Sequence, residues 1–346
     1  MTRREVFAAP ALGLASAGMV AAQAVPALLK PKALRPGDTV GLITPSTYVS
    51  DPVTLDLLKL TTEHFGLKMK VGRNVKKRTG YVGGTIEERL NDLHDMFRDP
   101  EVKGVICIRG GYGTPHILDG IDYDLIRRNP KVFAGYSDIT AMHLAIHRKT
   151  GLVTFHSPVI LSRFTDWTQR HFRDSLFAGG PARLVIKNPP EANPLRPAHP
   201  VRAIRPGTAR GALIGGNLTL ISSLMGTPYE PDTRGKIFFI EDVGEEPYRI
   251  DRMLTQLRLA GKFAQCAGVV VGECVDCGPK EFRPGFESTF SLNEVLDNIL
   301  GDLKVPVLSG LLIGHTNDQA TLPVGAMASM DAAAGELIIE ERGAVD

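Results

Sequence analysis

The feature that most constrains the fold is a regular alternation of short apolar runs and amphipathic stretches, which begins near residue 38. Apolar runs bounded by glycine or polar residues predict buried strands, and the stretches between them carry apolar residues at helical spacing. Such alternation is typical of an α/β fold with a parallel sheet. The first half contains predicted strands at 39–45, 69–75, 104–110 and 131–136 and predicted helices at 54–64, 86–99 and 138–149.

A proline-rich stretch divides this alternation into two parts. Residues 188–207 contain six prolines, which are too many for a regular element, so we interpret the stretch as a linker. The prediction is an N-terminal parallel-sheet domain at 25–187, a Pro-rich crossover, and a smaller C-terminal α/β domain at 208–346. The last residues are expected to form a hairpin around Gly335.

The first 24 residues have the composition of a targeting segment. Arg3 and Arg4 precede an uncharged apolar run at 6–22, and the small-x-small pattern at 22–24 suits a signal peptidase. Two arginines followed by hydrophobic residues resemble a twin-arginine export signal. We therefore expect an exported or periplasmic protein whose mature chain starts near Val25. The alternatives are a permanent anchor, for which the run is short, and a cytoplasmic protein.

Composition narrows the class of partner. Hydrophobic residues make up 43% of the chain, which is enough for a sizeable core, and the formal net charge is only +2. A nucleic-acid-binding protein needs a basic surface to neutralise phosphates, so this balance argues against such a partner.

The four cysteines give a weak signal. Cys274 and Cys277 have the C-x-x-C spacing of half a zinc site or of a redox pair, whereas Cys107 and Cys266 stand alone. A structural zinc site needs a second pair, which the sequence lacks. We expect no metal and interpret the cysteines as incidental.

One serine lies where a predicted strand passes directly into a helix. Ser137 follows Gly135 and precedes Asp138, and a sharp turn at such a place exposes the hydroxyl above the amides of a helix N-terminus. The G-x-S-x-G pattern is incomplete because Ile139 occupies the second glycine position. A serine or aspartate here also serves as a helix N-cap, so both interpretations stay open.

Two histidines compete as the general base. His315 ends the apolar run PVLSGLLIGH, and His156 ends another strand near the predicted nucleophile helix. The carboxyl ends of parallel strands are where sites collect, and spacing alone does not separate the two. His143 and His147, four residues apart, are interpreted as a pair on the helix surface. The polar helix faces and the linker account for the histidines at 64, 94, 171 and 199.

A carboxylate is needed to hold the base in the right tautomer. Glu241 and Asp242 end the apolar strand FFIED, where they could also cap the loop that follows. The residues by themselves indicate hydrolase chemistry with a serine, a histidine and an acid. They do not indicate the substrate.

Several motifs together resemble the LD-carboxypeptidase family of serine peptidases, whose relatives include microcin-immunity peptidases. The resemblance covers nearly the whole chain after the leader, through TVGLITPS, RGGYG, GYSD, IEDVGE and GHT in the family's order. It implies Ser137 as the nucleophile, Glu241 as the acid and His315 as the base. The choice of His315 over His156 rests on this resemblance and not on spacing. It also implies an oxyanion hole.

The oxyanion hole implied by the resemblance uses the backbone amides of Asp138 and of Gly111 or a neighbour. Arg109 and Tyr112 are candidate substrate-binding residues, with Arg109 paired to a substrate carboxylate. The resemblance places the serine on the N-terminal domain and the acid and base on the C-terminal domain. Because relatives are often dimers, it allows a homodimer.

The implied reaction is hydrolysis of an L,D-peptide bond that releases a terminal D-amino acid, typically D-Ala from murein tetrapeptide, without a cofactor. The expected partner is a murein-derived peptide rather than a nucleic acid or a membrane. One alternative is a serine amidase acting on a peptide-nucleotide toxin or another acyl-amide. The other is an exported peptidoglycan-binding protein that does no chemistry.

Overall fold

The computed structural model describes residues 26–49, 51–191, 193, 195–282 and 284–346. The predicted export signal at 1–24 lies outside the described residues. Within the described ranges, no helix is long and apolar enough to cross a membrane.

The regular elements alternate along the chain as the apolar pattern predicts. The strands are β1 (Thr39–Ile43), β2 (Lys68–Val71), β3 (Val102–Cys107), β4 (Val132–Gly135), β5 (Thr154–His156), β6 (Leu184–Ile186), β7 (Arg202–Arg205), β8 (Thr208–Asn217), β9 (Ile237–Glu241), β10 (Gly268–Gly272), β11 (Val307–Leu311), β12 (Leu322–Val324), β13 (Met327–Asp331) and β14 (Glu336–Ile339). The α-helices are α1 (Pro52–His64), α2 (Ile86–Arg98), α3 (Tyr123–Arg128), α4 (Thr140–Thr150), α5 (Asp166–Leu176), α6 (Leu218–Ser223), α7 (Pro247–Leu259), α8 (Lys262–Gln265) and α9 (Leu292–Leu300).

The strands form two sheets. The first has the order β12-β5-β4-β3-β1-β2, and all its pairs are parallel except β12 with β5. The second has the order β6-β14-β13-β8-β9-β10-β11-β7, with a parallel centre from β8 to β11 and antiparallel strands on both sides. The buried, almost wholly apolar sequences of β4 and β9 explain why these strands lie inside their sheets. The α/β prediction with a parallel sheet is therefore confirmed.

The two sheets do not follow the predicted domain boundaries. The strand β6 lies within the predicted N-terminal range but pairs in the second sheet, and β12 lies within the predicted C-terminal range but pairs in the first. The expectation that 188–207 contains no regular element is wrong, because β7 pairs with β11 at the edge of the second sheet. Pro200 and Pro206 lie outside β7, and an edge strand tolerates proline nearby.

The helix α4 lies between the two sheets. Its apolar residues join one core with Phe133 of the first sheet and with Leu213 and Ile214 of the second. His143 on α4 is fully buried, and its Nε2 lies 2.8 Å from the carbonyl oxygen of Gly135. The interpretation of His143 as a surface residue is therefore wrong, because both sides of the helix are covered.

His171 is likewise buried rather than on a polar helix face. It packs on Trp167 of α5, with the ring centroids 4.0 Å apart. The terminal hairpin around Gly335 is present as β13 and β14.

Candidate active site

The serine turn connects β4 to α4 through a short 3-10 helix at Ser137–Ile139. Ser137 has a φ of 65°, in the left-handed region that side chains other than glycine rarely adopt. Such a conformation costs on the order of 1–3 kcal/mol and persists only where its surroundings enforce it. The first helical turn predicted at 138 is thus a tighter turn, and α4 begins at Thr140.

The sequence departure from G-x-S-x-G has a packing reason. A Cβ at Gly135 would lie 3.1 Å from Cγ1 of Ile139 and 3.2 Å from Cβ of Cys107. Ile139 is fully buried, so its side chain fills the space above the glycine. Ile139 therefore packs in the core, at the position where the G-x-S-x-G pattern has a glycine.

The carboxylate of Asp138 fixes this turn. It is buried and accepts hydrogen bonds from Ser46 Oγ at 2.6 Å and from the Thr114 amide at 2.9 Å. The buried guanidinium of Arg89 donates to the carbonyl oxygens of Pro45 and Gly113, at the ends of the same two loops. This network holds together the loop after β1, the RGGYG turn and the serine turn, and nothing in the local pattern predicted it.

The structure brings the predicted serine, histidine and glutamate together. His315 Nε2 lies 3.1 Å from Ser137 Oγ, and His315 Nδ1 lies 2.7 Å from Glu241 Oε2. Glu241 is the last residue of β9, and His315 follows β11 two strands away in the same sheet. An ionised Glu241 accepts from Nδ1–H, which leaves Nε2 free to accept the serine proton.

Glycine makes room for the carboxylate. Gly314 has a φ of 95°, and a Cβ there would lie 2.1 Å from Glu241 Oε2. Gly272, at the end of β10, similarly leaves space for the Glu241 side chain, since its Cβ would lie 3.1 Å from that of Glu241.

Burial dominates the electrostatics of the acid. The Glu241 side chain is 0% exposed and that of His315 15% exposed. Burial raises the pKa of Glu241, and the hydrogen bond with His315 opposes part of that rise. Glu241 Oε1 has no hydrogen-bond partner among the described residues, and His315 and the Asn217 side chain oppose the effect of burial on the carboxylate.

Asp242 has a different role from its neighbour. It accepts from Asn217 Nδ2 at 3.0 Å and from the backbone amide and hydroxyl of Thr219 at 2.9 and 2.8 Å. The backbone amide of Asn217 also donates to Thr140 Oγ1 at 2.9 Å, so this network connects the loop after Glu241 to the start of α4.

The competing histidine lies beneath the site. His156 is fully buried, and neither of its ring nitrogens has a hydrogen-bond partner in the described part of the chain. Burial lowers the pKa of His156 well below its usual value, so the ring stays neutral. Tyr136, which sequence reasoning passed over, lies between the two histidines, with its ring centroid 4.9 Å from that of His315 and 6.2 Å from that of His156.

The RGGYG turn borders the serine. A Cβ at Gly110 would lie 3.0 Å from Ser137 Cβ and 3.3 Å from Ser137 Oγ, so Gly110 is the glycine that faces the hydroxyl. Gly111 instead contacts Thr47, whose Oγ1 accepts from the amide of Tyr112 at 3.0 Å.

The predicted substrate-binding residues lie on the exposed side of this turn. The Tyr112 side chain is exposed and meets Tyr81 edge to face, with the centroids 5.2 Å apart. Arg109 is also exposed and its Nη1 donates to the carbonyl oxygen of Tyr48 at 3.4 Å. The role of both side chains in substrate binding stays a prediction.

No group of three or more histidine, cysteine, aspartate or glutamate side chains in the described ranges is arranged to hold a metal ion. The cysteines are all free thiols.

Comparison with known proteins gives two family matches in the order of the chain. The model of the LD-carboxypeptidase N-terminal domain matches residues 40–157, which include Ser137, and that of the C-terminal domain matches residues 210–330, which include Glu241 and His315.

Individual relatives agree with these matches. The "Probable murein peptide carboxypeptidase" of Bacillus subtilis is 45% identical over 311 residues, covering 90% of this chain and 94% of that protein. A muramoyltetrapeptide carboxypeptidase from Oxalobacter formigenes superposes with a TM-score of 0.75 at 30% identity, covering 89% of this chain and 100% of that one. A structure of MccF in complex with glutamyl sulfamoyl guanosine gives a TM-score of 0.80 at 27% identity, covering 91% and 99%.

Proposed function

The chain belongs to the LD-carboxypeptidase family, a family of serine-type hydrolases, and we propose that it releases a terminal D-amino acid from an L,D-peptide bond. The proposed substrate is murein tetrapeptide, from which the enzyme releases D-Ala. In this proposal Ser137 is the nucleophile, His315 the general base and Glu241 the residue that orients the base.

The observation that carries the proposal is the continuous chain of contacts from Ser137 through His315 to Glu241, at 3.1 and 2.7 Å. A serine hydroxyl is a weak nucleophile unless a base within hydrogen-bond reach removes its proton. The buried carboxylate keeps the proton of the neutral imidazole on Nδ1 and stabilises the imidazolium that forms.

The geometry supports the following sequence of steps. Ser137 Oγ attacks the carbonyl carbon of the scissile bond while its proton passes to His315 Nε2. The same nitrogen then gives that proton to the leaving amine, which departs as the D-amino acid. A water molecule, deprotonated by His315, hydrolyses the acyl-enzyme and frees Ser137.

The tetrahedral intermediate needs donors for its oxyanion. We assign this role to the amide of Asp138, which follows the strained serine, and to an amide of the RGGYG turn, Gly111 in our prediction. The network of Asp138 with Ser46 and Thr114 supports the assignment, because it holds the two turns in a fixed relation.

Substrate recognition is proposed for Arg109 and Tyr112 at the exposed side of the turn. A bidentate pair between the Arg109 guanidinium and the terminal carboxylate would select a C-terminal residue. Arg109→Ala is expected to raise KM with little change in kcat, because the interaction is present equally in the ground state and the transition state.

The test is release of D-Ala from murein tetrapeptide by the purified full-length chain, followed by mass spectrometry beside a Ser137→Ala variant. Release by the wild type alone supports the reaction and the nucleophile together. If neither protein releases D-Ala but a fluorophosphonate labels Ser137, the murein assignment fails and the hydrolase assignment stands. An unlabelled Ser137 in a chain that binds muropeptide would favour a binding protein.

A second substrate class has one observation in its favour. The likeness to MccF with a bound aminoacyl sulfamoyl nucleoside, at a TM-score of 0.80, favours an amidase for peptide-nucleotide compounds. Parallel assays with the tetrapeptide and with glutamyl sulfamoyl guanosine distinguish the two, since the better substrate has the higher kcat/KM.

The place of action follows from the leader in our proposal. Residues 1–24 would direct export, so the substrate would be periplasmic or extracellular muropeptide. Replacement of Arg3 and Arg4 by lysine is expected to retain the protein in the cytoplasm, which cell fractionation measures. Unchanged export would contradict the twin-arginine route.

A further inference from the structure

A cavity of about 340 Å³ lies beside the second half of α4, away from the serine turn that precedes this helix. Its walls come from α3 and α4 on one side and from β8 and the loop before β9 on the other. The cavity therefore lies between the half of the chain that carries Ser137 and the half that carries Glu241 and His315. We call it the α4 cavity.

Positive charge dominates the polar part of the α4 cavity. The lining contains four cationic side chains, which are Arg127, Arg148, Lys149 and Lys236. Asp232 is the one carboxylate among the described lining residues. Arg234, which lies outside the lining, donates to both oxygens of this carboxylate at 2.9 Å. The distance from the Asp232 carboxylate to Lys236 Nζ is longer, 3.6 Å, so the cations of the cavity are poorly neutralised.

Three of the cations are accessible and form no ion pair in the described part of the chain. Arg127 and Arg148 are exposed, and Lys149 is half-buried. Arg148 Nε donates to the carbonyl oxygen of Pro228 at 3.1 Å, and Lys149 Nζ lies 5.5 Å from the ring centroid of Tyr229. These contacts leave the terminal nitrogens of both guanidinium groups open to a molecule that enters from solvent.

Helix dipoles explain part of this charge. Arg127 lies in the last turn of α3, and Arg148 and Lys149 lie in the last turn of α4, where cations interact favourably with the unpaired carbonyls. Lys236 belongs to neither helix, and its Nζ donates to the carbonyl oxygen of Asp232 at 2.7 Å. Burial lowers the pKa of Lys236, because the ammonium is partly withdrawn from water. The dipoles do not explain why this further cation lines the same cavity.

The remaining wall is mostly apolar. Leu144 of α4 and Ile214 of β8 line the cavity and are almost wholly buried, and Pro26 and Pro231 add to this surface. A small-molecule site typically combines such an apolar surface with a few polar groups that fix the orientation of the ligand. The lining therefore suits a ligand with a compact anionic group and a small apolar body.

The number of cations favours a phosphate ester over a carboxylate. One guanidinium group is enough to donate to both oxygens of a carboxylate. A phosphomonoester carries up to two charges on three terminal oxygens, so it can accept from two guanidinium groups and an ammonium at once. Cations that are close together repel each other, and a dianion relieves this repulsion more than a monoanion does.

We propose that the α4 cavity binds a small phosphomonoester. The phosphate accepts hydrogen bonds from the guanidinium groups of Arg127 and Arg148, and the apolar body lies against Leu144 and Ile214. Because both halves of the chain contribute to the walls, a bound ligand stabilises the folded protein by mass action. The site is separate from Ser137, and the proposal does not depend on the reaction assigned to that residue.

The experiment is isothermal titration calorimetry of the full-length chain with phenyl phosphate, which combines an aromatic ring with a dianion. Saturable binding with a Kd below about 1 mM is expected. Benzoate has the ring with a single charge and should bind at least about fivefold more weakly, and neutral phenol should bind more weakly than benzoate. Phenyl phosphate should also raise the unfolding temperature of the protein.

Two neighbouring arginines of α3 provide a matched pair of variants. Both Arg127 and Arg128 are exposed, but only Arg127 lines the cavity. Arg127→Ala should weaken the binding of phenyl phosphate at least about fivefold, whereas Arg128→Ala should bind it like the wild type. Arg109→Ala removes the exposed cation of the RGGYG turn and should also bind like the wild type. Thermal unfolding without ligand shows whether each variant is folded.

Three results would overturn the proposal. The first is the absence of saturable binding of phenyl phosphate with a Kd below about 1 mM. The second is binding of benzoate or phenol as tight as that of phenyl phosphate. The third is an Arg127→Ala variant that binds like the wild type, or an Arg128→Ala or Arg109→Ala variant that loses as much affinity. None of these measurements uses hydrolysis, so failure of the proposed reaction is recognised separately.

Discussion

The serine turn and the acid–base pair are held in place by different physical means. Ser137 has a strained backbone that hydrogen bonds around Asp138 enforce, whereas Glu241 ends a regular strand and is controlled by burial. The first arrangement uses conformational energy to expose a hydroxyl. The second uses desolvation, which makes the charge of a carboxylate sensitive to its neighbours. The two sides of one site should therefore respond differently to mutation.

The largest expected effect tests whether the two sides act as a unit. Ser137→Ala and His315→Ala should each lower kcat by about 10⁴-fold or more, and the double variant should lose no more than either single one. The reason is that His315 acts by taking the proton of Ser137, so the loss of either residue removes the same step. Steady-state kinetics on the preferred substrate measures all three. A double variant far slower than both single variants would show that Ser137 and His315 contribute independently.

The next prediction concerns the acid side alone. Glu241→Gln should lower kcat by about 10³-fold, because the amide no longer stabilises the imidazolium. Burial raises the pKa of Glu241, so the ionised carboxylate is disfavoured in the folded state and its removal should not destabilise the fold. Kinetics and thermal unfolding at pH 7 check both parts. A loss of stability above about 1 kcal/mol would mean that the charge supports the fold.

The matching substitution on the nucleophile side should do the opposite to stability. Asp138→Ala removes a buried acceptor from Ser46 and Thr114 and should cost about 3 kcal/mol of unfolding free energy, together with activity. Asp302→Ala, at an exposed position, is the control and should change stability by less than about 0.5 kcal/mol. Urea unfolding measures both variants. Equal stability of the two would refute the role of Asp138 in enforcing the turn.

The smallest expected effect is a loss of unfolding free energy at acid pH, which two buried histidines of the N-terminal half cause. Burial lowers the pKa of His143 and of His171 to about 4, so the unfolded chain takes up protons near pH 6.5 that the folded chain does not. Their contribution to stability is present above pH 6.5 and is lost as the pH falls towards 4. Each histidine should account for about 2 kcal/mol between pH 6.5 and 5.0.

The variant His171→Gln isolates one of these contributions. Between pH 7.5 and 5.0, its unfolding free energy should fall by about 2 kcal/mol less than that of the wild type, which is the contribution of one histidine. Urea titrations at the two pH values measure the difference. An unchanged pH dependence would show that His171 takes up its proton equally in the folded and unfolded states.

Local patterns predicted the elements well and their surroundings poorly. The strand that ends at Gly135 and the turn at Ser137 were readable, because apolar runs and strand-to-helix turns are local features. The burial of His143 could not be predicted, since the α4 sequence has no signal that a second sheet covers its other side. The alternation likewise gave no sign that β6 and β12 pair across the predicted boundaries.

The sequence by itself determined which segments become strands and helices and, through a resemblance spread along the chain, which residues to examine. Spacing left His315 and His156 open and the resemblance favoured His315, but only the tertiary structure brings His315, 178 positions away in the chain, to 3.1 Å from Ser137. The same packing excludes water from the Glu241 side chain. Distances and burial of this kind depend on contacts between remote segments, which no local pattern encodes.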